Sequence, residues 1–200
     1  MKIAVFGGAF DPPHKGHELV ATTLITKQLA DQVWFVPTKT HAFGKLMTPA
    51  QDRVKLLEIM LAENPQMHNL WHINSSELTQ PGVSYTFQTL DRLSAEYPQH
   101  QFSFVIGSDN LLDLHKWGDA KGRSFLEMLA AYPFWVYPRT GYPLAPLYPG
   151  IEVITEVPQI GTSSTQVREL IRQKNQITYL VNPAIADYIF QHNLYQDAVS

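Results

Sequence analysis

The sequence predicts a doubly wound α/β fold, in which a Rossmann-like parallel sheet is covered by helices on both faces. Short apolar runs of strand length alternate along the 200 residues with longer segments of helical periodicity, and this alternation is typical of parallel sheets. Two of the runs lead directly into a glycine, at Gly7 and at Gly107. Ligands of such sheets bind beyond the carboxyl ends of the strands, so we expect Gly7, Gly107 and the region after Pro37 to meet at one edge.

Three strands and two helices are expected in the first half of the chain. The first helix should turn Leu19 and Leu24 toward the core, because its apolar residues recur with helical spacing. The second helix should begin at Pro49, since proline is favoured at the first helical position, with Thr48 as its N-cap. The predicted ranges are strand 3–6, helix 18–30, strand 33–36, polar loop 38–48, a helix from 49 and strand 70–73.

The second half of the chain continues the alternation. Ser163 or Ser164 should cap the last helix but one, and Pro183 should begin the last. Because the chain contains no linker, repeat or low-complexity stretch, we expect one domain over 1–200, with a C-terminal helical portion from about 163. The predicted ranges are a helix from 84 or 85 to 97, strand 102–106, helix 125–131, strand 134–137, loop 140–150, strand 151–154, a helix to about 174 and a helix from 183.

Composition narrows the classes of function. A hydrophobic fraction of 44% predicts a packed core, and a net charge of −3 argues against a nucleic-acid partner, which would need a basic surface. No segment has the apolar length that a membrane crossing needs, so we expect no membrane partner. The chain has no cysteine, which excludes a disulfide framework and fits a cytoplasmic location. The sequence leaves homo-oligomerisation open.

The stretch 2–17, KIAVFGGAFDPPHKGH, carries the strongest local signal. A strand, a turn at Gly7 and Gly8 and a helix start together present backbone N–H groups to an anion. His14 and His17 are three residues apart and so share one face of the first helical turn. Imidazoles placed there donate hydrogen bonds to phosphate and become cationic at modest cost. The alternative is an ordinary turn with two surface histidines, but the combination favours a phosphate site.

A second stretch, GTSSTQVR at 161–168, has the composition of a phosphate-binding helix start. Its hydroxyls and free N–H groups can meet an anion, and Arg168 can grip phosphate in bidentate fashion. Simple N-capping is the alternative for this stretch alone. Together with the first motif, the stretch favours a phosphate role.

These motifs resemble those of a known family. GGAFDPPHKGH is similar to the signature GG-x-FDP-x-H-x-GH of the nucleotidyltransferases that share a His-x-x-His motif. More narrowly, the chain resembles the bacterial nicotinate-nucleotide adenylyltransferases, with matches in family order over nearly its whole length. The further matches are GVSYTFQTL at 82–90, FVIGSDNL at 104–111, Trp117, YPRTGY at 137–142, GTSSTQVR at 161–168 and the tail YLVNPAIADYIFQHNLY at 179–195.

The resemblance implies an adenylyl transfer that belongs to NAD biosynthesis. ATP and nicotinic acid mononucleotide would give deamido-NAD and pyrophosphate, and Mg²⁺ would enter with ATP without a protein metal ligand. His14, His17 and Arg168 are the implied catalytic residues, because they would stabilise the charge of the transition state. The residues implied to bind ATP are Gly7, Gly8, Phe10, Gly107, Asp109, Ser163, Ser164 and Thr165.

The same resemblance assigns a second group of residues to the mononucleotide. Trp117 is similar to an aromatic residue that stacks on the pyridine ring, and Tyr85 and Thr86 resemble the segment that lines the pyridine site. Asp109 resembles an acidic residue that contacts adenosine. The alternative for Trp117 is an ordinary core residue, and the alternative for Asp109 and Thr86 is a helix cap. The residues implied to bind the mononucleotide are Lys39, Lys45, Tyr85, Thr86, Trp117 and Arg139.

The resemblance leaves the substrate open between the acid and the amide. At 38–45 the chain has TKTHAFGK, where acid-preferring bacterial members carry a Pro-Pro-His-Lys-like run. With the ending at 192–195, this loop leans toward enzymes that also accept nicotinamide mononucleotide. Phosphopantetheine is disfavoured by SYTFQTL and SDNLLDLHKWGD, and a tRNA synthetase by chain length and acidic charge. A non-catalytic nucleotide sensor is disfavoured because His14, His17 and Arg168 are intact.

Overall fold

The computed structural model describes residues 1–39, 47–83, 85–119 and 121–196. Within these ranges, the centre is a six-stranded sheet in which every neighbouring pair is parallel. The predicted doubly wound α/β fold and the six predicted strands are confirmed. The order is β3-β2-β1-β4-β5-β6, with strands at Lys2–Gly8 (β1), Gln32–Pro37 (β2), Trp71–Ile73 (β3), Gln101–Gly107 (β4), Phe134–Tyr137 (β5) and Ile151–Val153 (β6).

Helices cover both faces of this sheet. Short 3₁₀ turns at Pro65–Met67, Ser108–Asn110 and Leu114–Lys116 join some of the elements. The helices of the described chain are Lys15–Thr26 (α1), Ala50–Ala62 (α2), Ser76–Thr79 (α3), Thr86–Glu96 (α4), Phe125–Ala131 (α5), Ser164–Arg172 (α6) and Pro183–Gln191 (α7).

The core lies in two layers because successive side chains of a strand point to opposite faces. In β1, Ala4 and Phe6 join the layer that holds α1, α2, α6 and α7. Ile3 and Val5 join the layer that holds α4 and α5. The strand order reverses between β1 and β4, so the carboxyl ends of these two strands mark the ligand-binding position of such sheets.

The helix predicted at 18–30 lies nearer the N-terminus than expected. It begins at Lys15, and left-handed backbone at Gln28 (φ 58°) stops it before 30. Leu24 is buried as predicted, but Leu19 is 38% exposed, because the helix turns a neighbouring face toward the sheet. The early start needs a close approach at Gly16, where a Cβ would lie 2.8 Å from Ile160 Cγ2.

The second helix also differs at its start. Pro49 is the N-cap and α2 begins at Ala50, so Thr48 is not the cap that we predicted. The backbone of Thr48 instead bonds to distant side chains: its N–H donates to Asp11 Oδ2 at 3.4 Å, and its carbonyl accepts from Arg53 Nε at 2.9 Å. The single turn of α3 was not predicted, since four residues carry too little periodicity.

The C-terminal helices begin as predicted. Ser163 caps α6, its Oγ accepting the Gln166 N–H at 3.1 Å, and Pro183 opens α7 after the N-cap Asn182. No helix in the described ranges joins the length and the apolar character that crossing a bilayer requires.

Candidate active site

A cleft of about 530 Å³ opens at the carboxyl ends of β1 and β4. Gly7 and Gly8 from β1, Gly107 from β4 and Thr38 after β2 line it, which confirms the predicted meeting at one edge of the sheet. The volume suits a small-molecule ligand. The predicted site residues that also line the cleft are His17, Tyr85, Thr86, Asp109, Trp117 and Arg139.

Glycine is required on the floor of this cleft. A Cβ at Gly7 would lie 2.6 Å from Cζ of Phe104, and one at Gly107 would lie 2.6 Å from Cδ of Arg139. Larger residues at either position would displace side chains that line the cleft. The bare backbone therefore lets a ligand approach the strand ends closely.

The two histidines of the first motif form a stacked pair. His14 is the N-cap of α1 and His17 lies in its first turn, and the ring centroids are 3.8 Å apart. The backbone N–H of His14 donates to Nδ1 of His17 at 3.1 Å. Because Nδ1 accepts this bond, the proton of a neutral His17 ring sits on Nε2. His17 therefore offers an Nε2–H donor to the cleft.

Burial holds both rings neutral. Desolvation lowers the pKa of His14 to about 3, and the charge of Arg139 acts in the same direction. Desolvation also lowers the pKa of His17 well below its usual range, with His14 and then Arg139 adding to the effect. The expectation that these imidazoles become cationic at modest cost is therefore wrong for the ligand-free protein, because the sequence does not reveal how deeply the helix start is buried.

An ion pair crosses the cleft wall. Arg139 Nη1 donates to Asp109 Oδ2 at 2.9 Å, and both side chains are about a quarter exposed or less. The backbone N–H of Arg139 donates to Ser108 Oγ at 2.9 Å, which ties the pair to the end of β4. Among the described residues, no group of three or more His, Asp or Glu side chains is placed to hold a metal ion.

The second motif, at 161–168, supports the first by hydrogen bonds to its backbone. Arg168 is 9% exposed, and its Nη1 donates to the Asp11 carbonyl at 2.6 Å. Its Nη2 donates to Thr165 Oγ1 at 3.2 Å, while Ser164 Oγ donates to the Pro12 carbonyl at 2.9 Å. Arg168, His14, Ser163, Ser164 and Thr165 are not among the described residues that line the cleft. Their direct contact with phosphate stays a prediction.

Phe10 lies in the core and not in the cleft lining. Its side chain is 2% exposed and packs edge-on against His17, with ring centroids 5.1 Å apart. The ring also lies beneath Gly8, 3.4 Å from where a Cβ would stand. The buried Phe10 ring supports the His17 ring from below, because an apolar ring is more stable out of water, and a contact between Phe10 and ATP stays a prediction.

The predicted mononucleotide residues separate into three groups. Tyr85 and Thr86, at the start of α4, and the half-buried Trp117 line the cleft together with Arg139. Lys39 is outside the described lining, and its Nζ donates to the Gln80 carbonyl at 2.6 Å. Lys45 lies outside the described residues.

The sequence analysis missed a buried polar hub beneath the first motif. Arg53 is 1% exposed and donates to the carbonyls of Ala9, Thr38 and Thr48 at 2.7, 2.9 and 2.9 Å. Asp11 Oδ1 accepts the Tyr195 hydroxyl at 2.9 Å. An arginine on the apolar face of α2 was the available signal, since a charged residue on a core face is buried only with partners.

Comparison with known proteins shows a family model and relatives to which the chain is similar. A model described as Cytidylyltransferase-like matches residues 5–170. The "Probable nicotinate-nucleotide adenylyltransferase" of Geobacillus thermodenitrificans is 35% identical over 196 residues, which cover 97% of this chain and 86% of that protein. The "Nicotinate-nucleotide adenylyltransferase" of Bacillus subtilis is 32% identical over 197 residues, which cover 98% of each.

Solved structures share the fold. The structure described as Plasmodium falciparum nicotinic acid mononucleotide adenylyltransferase complexed with NaAD has a TM-score of 0.83 to this chain. The alignment covers 100% of this chain and 99% of that one, at 20% sequence identity. At this identity the match supports the architecture of the sheet and helices.

Proposed function

The chain belongs to the nicotinate-nucleotide adenylyltransferase family of cytidylyltransferase-like proteins, and on this premise we propose that it transfers the adenylyl group of ATP to nicotinic acid mononucleotide. An oxygen of the mononucleotide phosphate attacks the α-phosphorus of ATP, and the bond to the β-phosphate breaks. The products are deamido-NAD and pyrophosphate. We place this step of NAD biosynthesis in the cytoplasm, where ATP is available.

One observation carries the proposal. A single cleft at the switch point of the sheet joins a glycine floor, the Nε2–H donor of His17 and the half-buried Trp117. The first two suit phosphate and the third suits a flat aromatic ring. A dinucleotide product carries both groups, joined within one molecule.

The chemistry asks the protein to position anions and to stabilise charge. The attacking phosphate is ionised at neutral pH, so no general base is needed. His17 would donate from Nε2 to an oxygen of the transferring group, and such donors are typically worth about 100-fold in rate. Arg139 supplies fixed positive charge at the same wall. ATP would enter as its Mg²⁺ complex, with the ion keeping water ligands rather than a protein cage.

The second motif would act by position as well as by contact. Arg168 holds the Asp11 carbonyl, three residues before His14, so its removal would loosen the histidine pair. The N-terminus of α6 carries Ser163, Ser164 and Thr165, and we propose that the triphosphate extends toward it. We propose that His14 also contacts the triphosphate once a phosphate group separates the stacked rings of His14 and His17.

The proposed function is tested by measuring pyrophosphate release from ATP, in the presence of Mg²⁺, with three acceptors offered separately. These are nicotinic acid mononucleotide, nicotinamide mononucleotide and phosphopantetheine. We expect turnover with nicotinic acid mononucleotide, and the ratio to the amide measures how strictly the pyridine substituent is read. Lys55→Met serves as the control, because Lys55 forms an exposed pair with Glu58 outside the cleft.

Two results would reject the proposal. Release only with phosphopantetheine would move the chain to another acceptor class. If a folded protein that still binds ATP by calorimetry releases no pyrophosphate with any of the three acceptors, a nucleotide sensor would be favoured.

A further inference from the structure

We infer that Arg123 is a positioning residue for this reaction: it clamps the loop that carries Trp117 onto α4, so that the aromatic wall of the cleft is in place before the mononucleotide binds. The inference rests on the proposed function, in which Trp117 meets the pyridine ring. Arg123 itself lies outside the described lining of the cleft. It would act only through the loop.

The loop after Trp117 folds back on itself. Gly118 and Ser124 form an antiparallel bridge, and the Asp119 N–H donates to the Arg123 carbonyl at 3.2 Å. Asp119 Oδ1 accepts the backbone N–H groups of Lys121 and Arg123 at 2.9 and 3.1 Å. The Arg123 backbone therefore lies directly beside the residues that follow Trp117.

The Arg123 side chain joins this loop to α4. Its Nε donates to Asp119 Oδ2 at 2.7 Å, and its Nη1 lies 2.8 Å from Asp91 Oδ2. The guanidinium carbon stands 3.6 Å above the centre of the Phe87 ring. Phe87 and Asp91 belong to α4, the helix whose first residue, Thr86, lines the cleft. One cation thus bridges two carboxylates and an aromatic face, and so joins the loop that follows Trp117 to the helix that carries Thr86.

The loop has little apolar packing of its own, although the residues on either side of it are anchored. Trp117 and Phe125 pack against the core layer that holds α4 and α5, and Trp117 also lines the cleft and meets Phe104 edge-on at 6.4 Å between ring centroids. Between them, the sequence GDAKGRS at 118–124 has no apolar side chain larger than that of alanine. Segments with few buried apolar contacts open locally at low free energy. The arginine fork, which contacts the carboxylates of Asp119 and Asp91, adds directional contacts to a segment that has little apolar packing of its own.

The expected consequence is on substrate affinity. Without the clamp, a smaller fraction of molecules would have Trp117 in the binding position, and the apparent affinity falls by that fraction. Once the mononucleotide is bound, the geometry at the α-phosphorus is unchanged. Loss of the clamp should therefore raise KM for the mononucleotide and spare both kcat and KM for ATP.

The experiment is a double-mutant cycle between Arg123 and Trp117. Arg123→Met keeps a flexible apolar side chain at this position and removes the guanidinium with its charge, its hydrogen bonds and its contact with Phe87. We expect its KM for the mononucleotide to rise about tenfold, with kcat and KM for ATP within about twofold. In the Trp117→Ala background the same substitution should change KM by less than about twofold, because the wall that it positions is gone. Lys55→Met, which removes an exposed ion pair elsewhere, should leave all constants unchanged.

Additive effects of the two substitutions on KM would overturn the inference, as would a fall in kcat with KM unchanged. If Arg123→Met does not fold, Asp91→Asn decides: it keeps an acceptor for the Tyr132 hydroxyl, which donates to Asp91 Oδ1 at 2.9 Å, and weakens the clamp. It should raise the same KM about threefold, and an unchanged KM would reject the assignment. If the wild-type protein releases no pyrophosphate with either pyridine mononucleotide, the proposed function and this inference are rejected together. If the wild-type protein is active and the two substitutions have additive effects on KM, only the inference is rejected.

Discussion

His17 shows how one ring can be both fixed in place and chemically available. Its Nδ1 accepts a hydrogen bond from the His14 backbone N–H, and its ring makes edge-on contacts with Phe6 and Phe10. The contacts leave Nε2 as the donor toward the cleft. The role that we assign to this residue therefore depends on one nitrogen atom rather than on charge.

His17→Asn tests that assignment. The amide oxygen can replace Nδ1 as acceptor of the His14 N–H, but the amide NH2 group of the shorter side chain does not reach the position of Nε2. We expect kcat to fall about 100-fold, while the melting temperature changes by only a few degrees. Steady-state pyrophosphate release and thermal unfolding measure the two effects. Normal turnover by a folded variant would contradict the mechanism.

His14 makes stability depend on pH. In the unfolded chain its pKa is near 6.5, whereas in the folded protein it is about 3, so only the unfolded state takes up a proton between these values. Stability therefore falls as the pH drops below about 6.5. The loss from His14 amounts to about 2 kcal/mol at about pH 5, and the lowered pKa of His17 acts in the same direction.

The matched variant for this prediction is His14→Asn, which keeps a favourable N-cap residue. Urea unfolding at about pH 7.5 and about pH 5 gives the pH-dependent loss for each protein. The variant should lose about 2 kcal/mol less than the wild type over this interval. Equal losses would mean that His14 is not buried as a neutral ring.

Among the elements, α2 holds the strand ends together through Arg53. The guanidinium reaches the carbonyls of Ala9, Thr38 and Thr48, which follow β1, follow β2 and precede α2. Burial lowers the pKa of Arg53, and the neighbouring Asp11 carboxylate opposes this shift. The floor of the cleft thus depends on a helix that contributes no described residue to its lining.

Arg53→Met should be strongly destabilising. The substitution roughly keeps the side-chain volume but leaves three carbonyls without their donor and the buried Asp11 carboxylate without the neighbouring Arg53 charge, and breaking such an arrangement costs about 3–5 kcal/mol. For a chain of this length the melting temperature should fall by about 10 °C. Arg172→Met, at an exposed position of α6, is the control and should cost less than about 0.5 kcal/mol. Equal melting temperatures for the two variants would remove Arg53 from this role.

Over the whole molecule, residues from the last part of the described chain contact the first motif. Tyr195 donates to Asp11 Oδ1, and Arg168 donates to the carbonyl of the same residue. Burial, and then the Asp11 charge, raise the pKa of Tyr195, so its hydroxyl keeps the proton that it donates. The C-terminal segment is therefore part of the support of the first motif.

Tyr195→Phe measures this support. Removing the hydroxyl leaves the Asp11 carboxylate, 3% exposed, with one fewer donor, and we expect a loss of about 1–3 kcal/mol in the free energy of unfolding. Tyr179→Phe is the control, because Tyr179 is 60% exposed and should be nearly neutral. Chemical denaturation compares the two. A loss at Tyr195 no larger than that at Tyr179 would contradict the proposed support.

The sequence by itself determined the order of the strands along the chain, the glycine turns, the cap at Ser163, the helix start at Pro183 and the meeting of Gly7, Gly107 and the residues after Pro37 at one sheet edge. These follow from local periodicity and from the fixed direction of a parallel sheet. Tertiary structure alone decided that Phe10 lies in the core, that the histidines are neutral, that Asp109 pairs with Arg139 and that Arg168 turns toward Asp11. The last bond joins residues 157 positions apart. Burial and partner choice depend on such distant neighbours, which no local pattern of the chain encodes.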